Sequence, residues 1–438
     1  MEVFMKKVII RHSILLIFLI GFAVAVSARG SSGSDKTGDK KLTFTTWQLI
    51  DGDLVSWWDG VITEFQETHP GVKVQVTDLS RDTYAETLLS QFVAGSPPDI
   101  THLASFEFAA FSQRDMLQEL DSYAQRDGID INEWAGQRVL QVDGTNYGIM
   151  LLYFGFNLYY NEALLNDAGV DVPTTWNEYL EASRALTVDK DKDGIIDQYG
   201  AGFQTAPGPG QYITGLLNFV LDSGAYWTDS SGKVTIDTPQ MAEAFGKWKT
   251  LLRENLTPRG MKINDVRQLF NEGKVAMIIE GPWMWGVSRN AAPDVLSNIK
   301  VAASPMSPPV GGSSNGLGIP KSLSDEDKQL VWEFIKLATS SKWQTKYIEA
   351  GQTTARPNTP ITDKARNDVP PIDLIFAAKD AAALEGVDRL PTGLEPIYND
   401  FARIVQDEAE RMIQDNLDPA DVVKNIQAQV EKLQKDNM

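Results

Sequence analysis

Apolar and polar residues alternate along Lys41-Leu42-Thr43-Phe44-Thr45-Thr46-Trp47, and this two-residue period with its β-branched content predicts an opening β-strand. From Val55 to Thr68 the apolar spacing becomes helical, and His69-Pro70-Gly71 stops it. Val72 to Val76 alternates again, Thr83 to Ala94 predicts a second helix, and Ile100 to Ala104 reads as a buried strand. Strand, helix, strand, helix, strand indicates an open, mostly parallel α/β sheet. Such sheets bind ligands in loops at the carboxyl ends of their strands, here Trp47 to Asp53 and Ser105 to Phe108.

Farther along, Tyr147 to Asn161 is an extended apolar and aromatic run with strand composition. Asn177 to Leu186, Met241 to Glu254 and Asp265 to Glu272 predict helices, and Val275 to Ile279 a strand closed by Glu280-Gly281-Pro282-Trp283. Residues 304–320, crowded with Pro, Gly and Ser, read as a crossing between lobes. Asp325 to Ala338, Gly393 to Gln414 and Pro419 to Lys435 supply late helices, and no internal repeat is visible.

At the N-terminus Lys6, Lys7 and Arg11 precede an apolar stretch from Ile14 to Val26 and a small-residue exit at Ser27-Ala28. Residues 1–28 therefore read as a cleaved secretory signal, with an apolar run too short to span a bilayer comfortably. Residues 29–40, rich in Gly, Ser, Asp and Lys, read as a disordered leader. No cysteine follows to carry a lipid, so a freely soluble periplasmic protein is expected, with no stable membrane insertion after cleavage.

The 438 residues, 42% of them hydrophobic, suit two lobes of ordinary size. The absence of cysteine and the presence of only three histidines exclude disulfide frameworks, thiol nucleophiles, iron–sulfur clusters and thiolate zinc sites. Forty basic against 59 acidic residues give a net charge of -19, and cutting after Ala28 removes three bases and one acid to leave -21. A surface of that sign repels phosphate backbones, so nucleic acid is not an expected partner.

In this order the signals resemble the extracellular solute-binding proteins of ABC sugar importers, the maltose-binding-protein-like family 1 group. The resemblance covers nearly all of the chain after the signal. It rests on the first strand ending in Trp47, on Gly95-Ser96-Pro97-Pro98-Asp99-Ile100, and on Tyr147-Gly148-Ile149 running into Leu158-Tyr159-Tyr160-Asn161. It continues in Pro173-Thr174-Thr175-Trp176, in Ala276-Met277-Ile278 leading to Gly281-Pro282-Trp283, and in Gly318-Ile319-Pro320-Lys321 before Trp332-Glu333-Phe334-Ile335. The resemblance implies a two-lobe periplasmic-binding-protein fold, each lobe an open, mostly parallel α/β sheet flanked by helices, with hinge crossovers between them. Solute is held in the cleft, and a monomer delivers it to an inner-membrane ABC permease. The first lobe would take residues 42–152 plus 306–345, and the second 155–303 plus 348–438.

A sugar presents an apolar C–H face and a rim of hydroxyls, so its site needs aromatic planes and fixed polar groups. Trp47, Tyr153, Trp227, Trp283 and Trp285 fall in predicted loops or strand ends and form the expected stacking set, interlobe or core packing being the alternative. Trp58, Trp176, Trp248 and Trp332 sit on or beside amphipathic helices, where core packing is expected. Asp99 reads either as a carboxylate that accepts from sugar hydroxyls or as a residue that caps the Pro-Pro-Asp corner. Arg356 could donate to a ring oxygen or form a surface salt bridge, and Ser105, Glu280 and Asn315 are candidates by position.

Asp189, Asp191, Asp193, Ile195 and Asp197 match the first nine positions of a calcium loop, with Gly194 at the turn. The bidentate glutamate that usually closes such a loop is replaced by Gly200, so a structural Ca2+ and an exposed acidic turn are both open readings. A secreted carbohydrate-active enzyme of glycosidase type is the competing function, because carboxylates and aromatics also build its clefts. A sugar sensor or adhesin outside transport would use the same cleft. His69, in a helix-ending turn, and His102, in a buried strand, read as structural.

Overall fold

The computed structural model describes residues 39–49, 52–384 and 390–437; the expected signal and nearly all of the expected leader lie outside the described residues. In the described residues the chain lays down β1 (Lys40–Thr46), β2 (Val72–Asp78) and β3 (Ile100–Ala104), then a short hairpin of β4 (Gln141–Val142) and β5 (Thr145–Asn146). There follow β6 (Ile149–Gly155), β7 (Asn157–Asn161), β8 (Tyr199–Gly202), β9 (Val275–Glu280), β10 (Ile299–Ala303) and β11 (Gly311–Gly318). One sheet has the order β2-β1-β3-β11-β6 and the other β10-β7-β9-β8.

β1 pairs in parallel with β2 and β3, while β11 runs against β3 and β6. In the second sheet β8 and β9 are parallel, and β7 runs against β9 and β10. Each sheet therefore holds one reversed strand, and each reversed strand is the first that the chain forms after crossing from the other sheet. The expected mostly parallel sheets are present in this sense. The two crossings are tied together where Phe156 N donates to Val310 O at 2.7 Å.

The apolar run from Tyr147 to Asn161 thus divides at Phe156 into strands of different sheets. The expected crossing over 304–320 is shorter than its composition suggests, because 311–318 is a fully buried strand between β3 and β6. Close packing requires glycine in it at 311 and 316. Helix Ile372–Leu384 lies across β6 and β11 and also touches β7 and β10. A Cβ on Gly155 would overlap the Ala378 carbonyl, and one on Gly311 would overlap the Ala382 methyl.

Helix Gly52–Thr68 buries Leu54, Trp57, Trp58, Val61, Ile62 and Phe65, the three-and-four spacing of one face turned to the first sheet. Helix Asp325–Ala338, capped by Ser324 Oγ on Asp327 N, buries Val331, Trp332, Phe334 and Ile335 beside it. Each large apolar side chain so buried contributes about 1.5–3 kcal/mol. Behind the second sheet Phe203 meets Phe219 and Trp248, which joins helices Pro209–Asp222 and Pro239–Arg253 to it. Trp58, Trp248 and Trp332 are fully buried and Trp176 packs edge-on against Phe219, so the four helix-associated tryptophans serve the core. Among the described residues no helix is long and apolar enough to cross a membrane.

Candidate functional site

At the carboxyl end of β1, Trp47 lies flat on the His102 imidazole of β3, ring centroids 4.1 Å apart. His102 Nε2 is 2.9 Å from Asn315 Oδ1, which can only accept, so the proton is placed on Nε2 and Thr46 Oγ1 donates to Nδ1 at 3.0 Å. Burial lowers the His102 pKa to about 3, and the ring stays neutral. The Trp47 ring also meets Tyr84 edge-on, and the Arg81 guanidinium carbon sits 4.8 Å from its centroid.

Arg81 forms an ion pair at 3.1 Å with Glu107, whose other oxygen accepts from Ala104 N at 2.9 Å. Glu107 belongs to helix Ser105–Ser112, which replaces the loop expected at Ser105 to Phe108. In the same helix Phe106 projects toward the second sheet's helices: it stacks on Tyr398 at 4.9 Å, and a Cβ on Gly210 would touch its ring. Tyr398 leads to Phe401, and Phe401 meets Trp227 edge-on at 5.4 Å. A chain of rings therefore runs from Trp47, by way of Arg81 and Phe106, to Trp227 on the far side. Trp227 borders a cavity of about 500 Å3 that Arg138, Leu217, Tyr226, Thr228 and Pro391 also line. Arg138 comes from the turn Gln137–Leu140, which packs on β6 and β11, so the cavity draws on both sides of the molecule.

A second aromatic group sits at the carboxyl end of β9. Trp283 Nε1 donates to Glu280 Oε2 at 2.6 Å, and Glu280 Oε1 accepts from Arg267 Nη2 at 3.0 Å. The indole packs against Phe154 of β6 and Phe156 of the crossing, at 5.1 and 6.1 Å between centroids. From the end of the same helix, Trp283–Ser288, Arg289 reaches Asp53 of helix Gly52–Thr68 at 2.6 Å, an ion pair that links the two sides.

Two aromatic groups and paired charges thus stand at the carboxyl ends of strands, where open α/β sheets place their ligands, between two sheets joined by reversed crossing strands. The family model for bacterial extracellular solute-binding proteins matches residues 51–345. The chain belongs to this family. A putative binding protein of Brucella abortus is 24% identical over 75% of the chain and 79% of its own length. The arabinooligosaccharide-binding protein of Halalkalibacterium halodurans is 25% identical over 65% of the chain and 63% of its own length. Among solved structures, maltose-bound MalE3 of T. maritima has a TM-score of 0.76 at 23% identity, covering 90% of this chain and 99% of its own. The GacH receptor of Streptomyces glaucescens, solved unliganded and with acarbose, has a TM-score of 0.76 at 20% identity, covering 90% and 98%.

In this solute-binding protein several expected ligand contacts are committed elsewhere. Asp99, at the amino end of β3, accepts from Thr43 N at 2.7 Å and Thr43 Oγ1 at 2.8 Å, so its carboxylate ties the Pro-Pro-Asp corner to β1. Ser105 is fully buried and donates to Ser313 O, and Asn315, also buried, is held by His102. Tyr153 is buried in register with Ser313, its ring close to Gly136. Glu280 is buried and bonded to Arg267 and Trp283. Arg356 donates to Thr339 O at 3.0 Å and lies over Trp134, and burial lowers its pKa. Trp285 is half-buried against Gly351, its Nε1 without a partner among the described residues. Trp283 is half-buried beside the crossing, whereas Trp227 is buried against Phe401, the packing alternative, and the Trp47 ring is already engaged by His102 and Arg81.

Arg81, Arg138, Arg267 and Tyr398 were not among the sequence candidates, while Phe106 and Glu107 lie in the segment Ser105 to Phe108 that was expected as a ligand loop. In the acidic loop Asp189, Asp191 and Asp197 bring one carboxylate oxygen each within 4.8 Å of the others. Asp193 is outside this group and accepts from Ile195 N, and the Ile195 side chain is exposed.

Proposed function

We propose that this protein is the carbohydrate-binding component of an ABC importer: exported by its N-terminal signal, it captures a mono- or oligosaccharide between its two lobes as a monomer and delivers it to an inner-membrane permease. The observation that carries the reading is the half-buried Trp283 indole at the carboxyl end of β9, set against Phe154 of β6 and Phe156 of the crossing between the two sheets. A flat indole suits the C–H face of a sugar. The names of relatives agree, an arabinooligosaccharide-binding protein and the galactooligosaccharide-binding protein of Bacillus subtilis among them. Binding favours the closed arrangement through contacts made to both lobes at once.

Small-angle scattering with and without saccharide tests this reading. A saccharide that binds reduces the radius of gyration; a protein that cleaves the saccharide and forms no stable complex contradicts it. For the acidic loop the proposal is one Ca2+, held by Asp189, Asp191 and Asp197, whose hard oxygens suit that ion.

A further inference from the structure

Arg267 and Glu280 form an ion pair buried to an unusual degree, their side chains only 9% and 4% exposed. Such a pair is an expensive way to fill a core, because desolvation offsets most of the attraction and apolar side chains of the same volume often do as well or better. Its burial therefore points to a role beyond stability. Glu280 ends β9, and both its carboxylate oxygens are engaged: Oε1 accepts from Arg267 Nη2, and Oε2 from Trp283 Nε1 and from Gly281 N at 3.2 Å. Arg267, on helix Ile263–Asn271, is steadied in turn by Asn264 Oδ1 at 3.1 Å. At Gly281 a Cβ would overlap the Trp283 ring, so the indole folds back over the main chain.

We propose that Arg267 and Glu280 are positioning residues that set the plane of the Trp283 indole, and with it the affinity and selectivity for a ligand stacked on that ring. This rests on the reading of Trp283 as a stacking surface. With its N–H fixed by a charge-assisted bond, the ring presents a face and withholds its donor from the ligand. With Arg267 on its other oxygen, the carboxylate is prevented from turning into the cleft to accept from a hydroxyl. The pair thus makes this part of the cleft an apolar platform beside a buried charge.

The test uses 19F NMR of the whole purified protein labelled with 5-fluorotryptophan, with the Trp283 resonance assigned by Trp283→Phe, alongside maltotriose and arabinotriose titrations. Without ligand, the Trp283 resonance is single and sharp in the parent protein, is broadened or split in Arg267→Met and Glu280→Gln, and is restored toward the parent in Arg267→Lys. An unchanged resonance in Arg267→Met overturns the proposal. If Arg267→Met does not fold, Glu280→Gln, which keeps size and shape, decides by the same criterion. For whichever trisaccharide binds, Arg267→Met weakens affinity about tenfold. That loss shrinks to nothing in the Trp283→Phe background, and a loss of equal size there overturns the proposal. If neither sugar nor any other saccharide binds the parent protein, the carbohydrate reading fails, while the ligand-free spectra still decide whether Arg267 and Glu280 hold the ring.

Discussion

Trp47 and His102 lie face to face, their ring centroids 4.1 Å apart and their planes 4° from parallel. The imidazole is fully buried and bonded at both nitrogens, to Thr46 and Asn315, so it fixes the ring at the end of β1 from below. Arg81, also near that ring, adds a positive charge that further opposes protonation of the imidazole.

A pH dependence of stability follows from this pair. His102 has a folded pKa of about 3 against an ordinary 6.5, so the unfolded chain takes up the proton first as pH falls. Its contribution is complete above pH 6.5 and is lost between 6.5 and about 3, at up to ~1.4 kcal/mol per pH unit. Glu64 and Glu254, whose pKa values are lowered by Lys342 and Arg184, act in the same direction but only in the more acidic carboxylate range. Urea melts between pH 6.5 and about 5 therefore isolate the histidine. Stability should fall across this window in the parent protein and stay nearly level in His102→Gln; a level parent curve contradicts the assignment.

Asp99 should matter for folding and not for binding. Replacing it with Ala removes the acceptor of both Thr43 donors, at a cost of about 1–3 kcal/mol. Thermal melting of Asp99→Ala should shift downward by several degrees with ligand affinity preserved. A weakened affinity at unchanged stability would restore the hydroxyl-binding reading.

Gly155 and Gly246 should respond oppositely to the same change. A methyl at Gly155 meets the backbone of helix Ile372–Leu384, and such overpacking costs about 1–3 kcal/mol. Gly246, inside helix Pro239–Arg253, has no atom within 4 Å of the added carbon, so Gly246→Ala should stabilise by about 0.5–1 kcal/mol. Chemical denaturation of both variants measures the difference, and a Gly155→Ala protein as stable as its parent refutes the close packing.

Calcium should raise the melting temperature if Asp189, Asp191 and Asp197 hold it, and a chelator should reverse the gain. Asp191→Ala should abolish the response. A melting curve indifferent to Ca2+ makes the loop an exposed acidic turn.

The first strands and the large amphipathic helices were legible because burial on one face leaves a clear period of two or of three and four. Helix Ser105–Ser112 was not: nearly every residue in it is buried, so FEFAAF shows no polar face to reveal a helix. β11 was hidden for a related reason, since the helix above Gly311 and the neighbouring strands leave room only for the small residues that elsewhere mark loops. Trp283 stood out through its Gly281-Pro282 turn. The contacts of Phe106 with Tyr398 and of Arg81 with Trp47 join distant segments, and nothing local announces them.

Calorimetric titration of the purified protein and its Trp283→Ala variant with a panel of mono- and oligosaccharides decides whether this protein is a saccharide-binding component that stacks its ligand on Trp283. Saturable one-to-one binding of at least one saccharide, without its cleavage, is expected, with a loss of one to two orders of magnitude (~1.4–2.8 kcal/mol) in Trp283→Ala. Hydrolysis without stable binding, or binding that Trp283→Ala leaves untouched while the melting temperature drops, would contradict it.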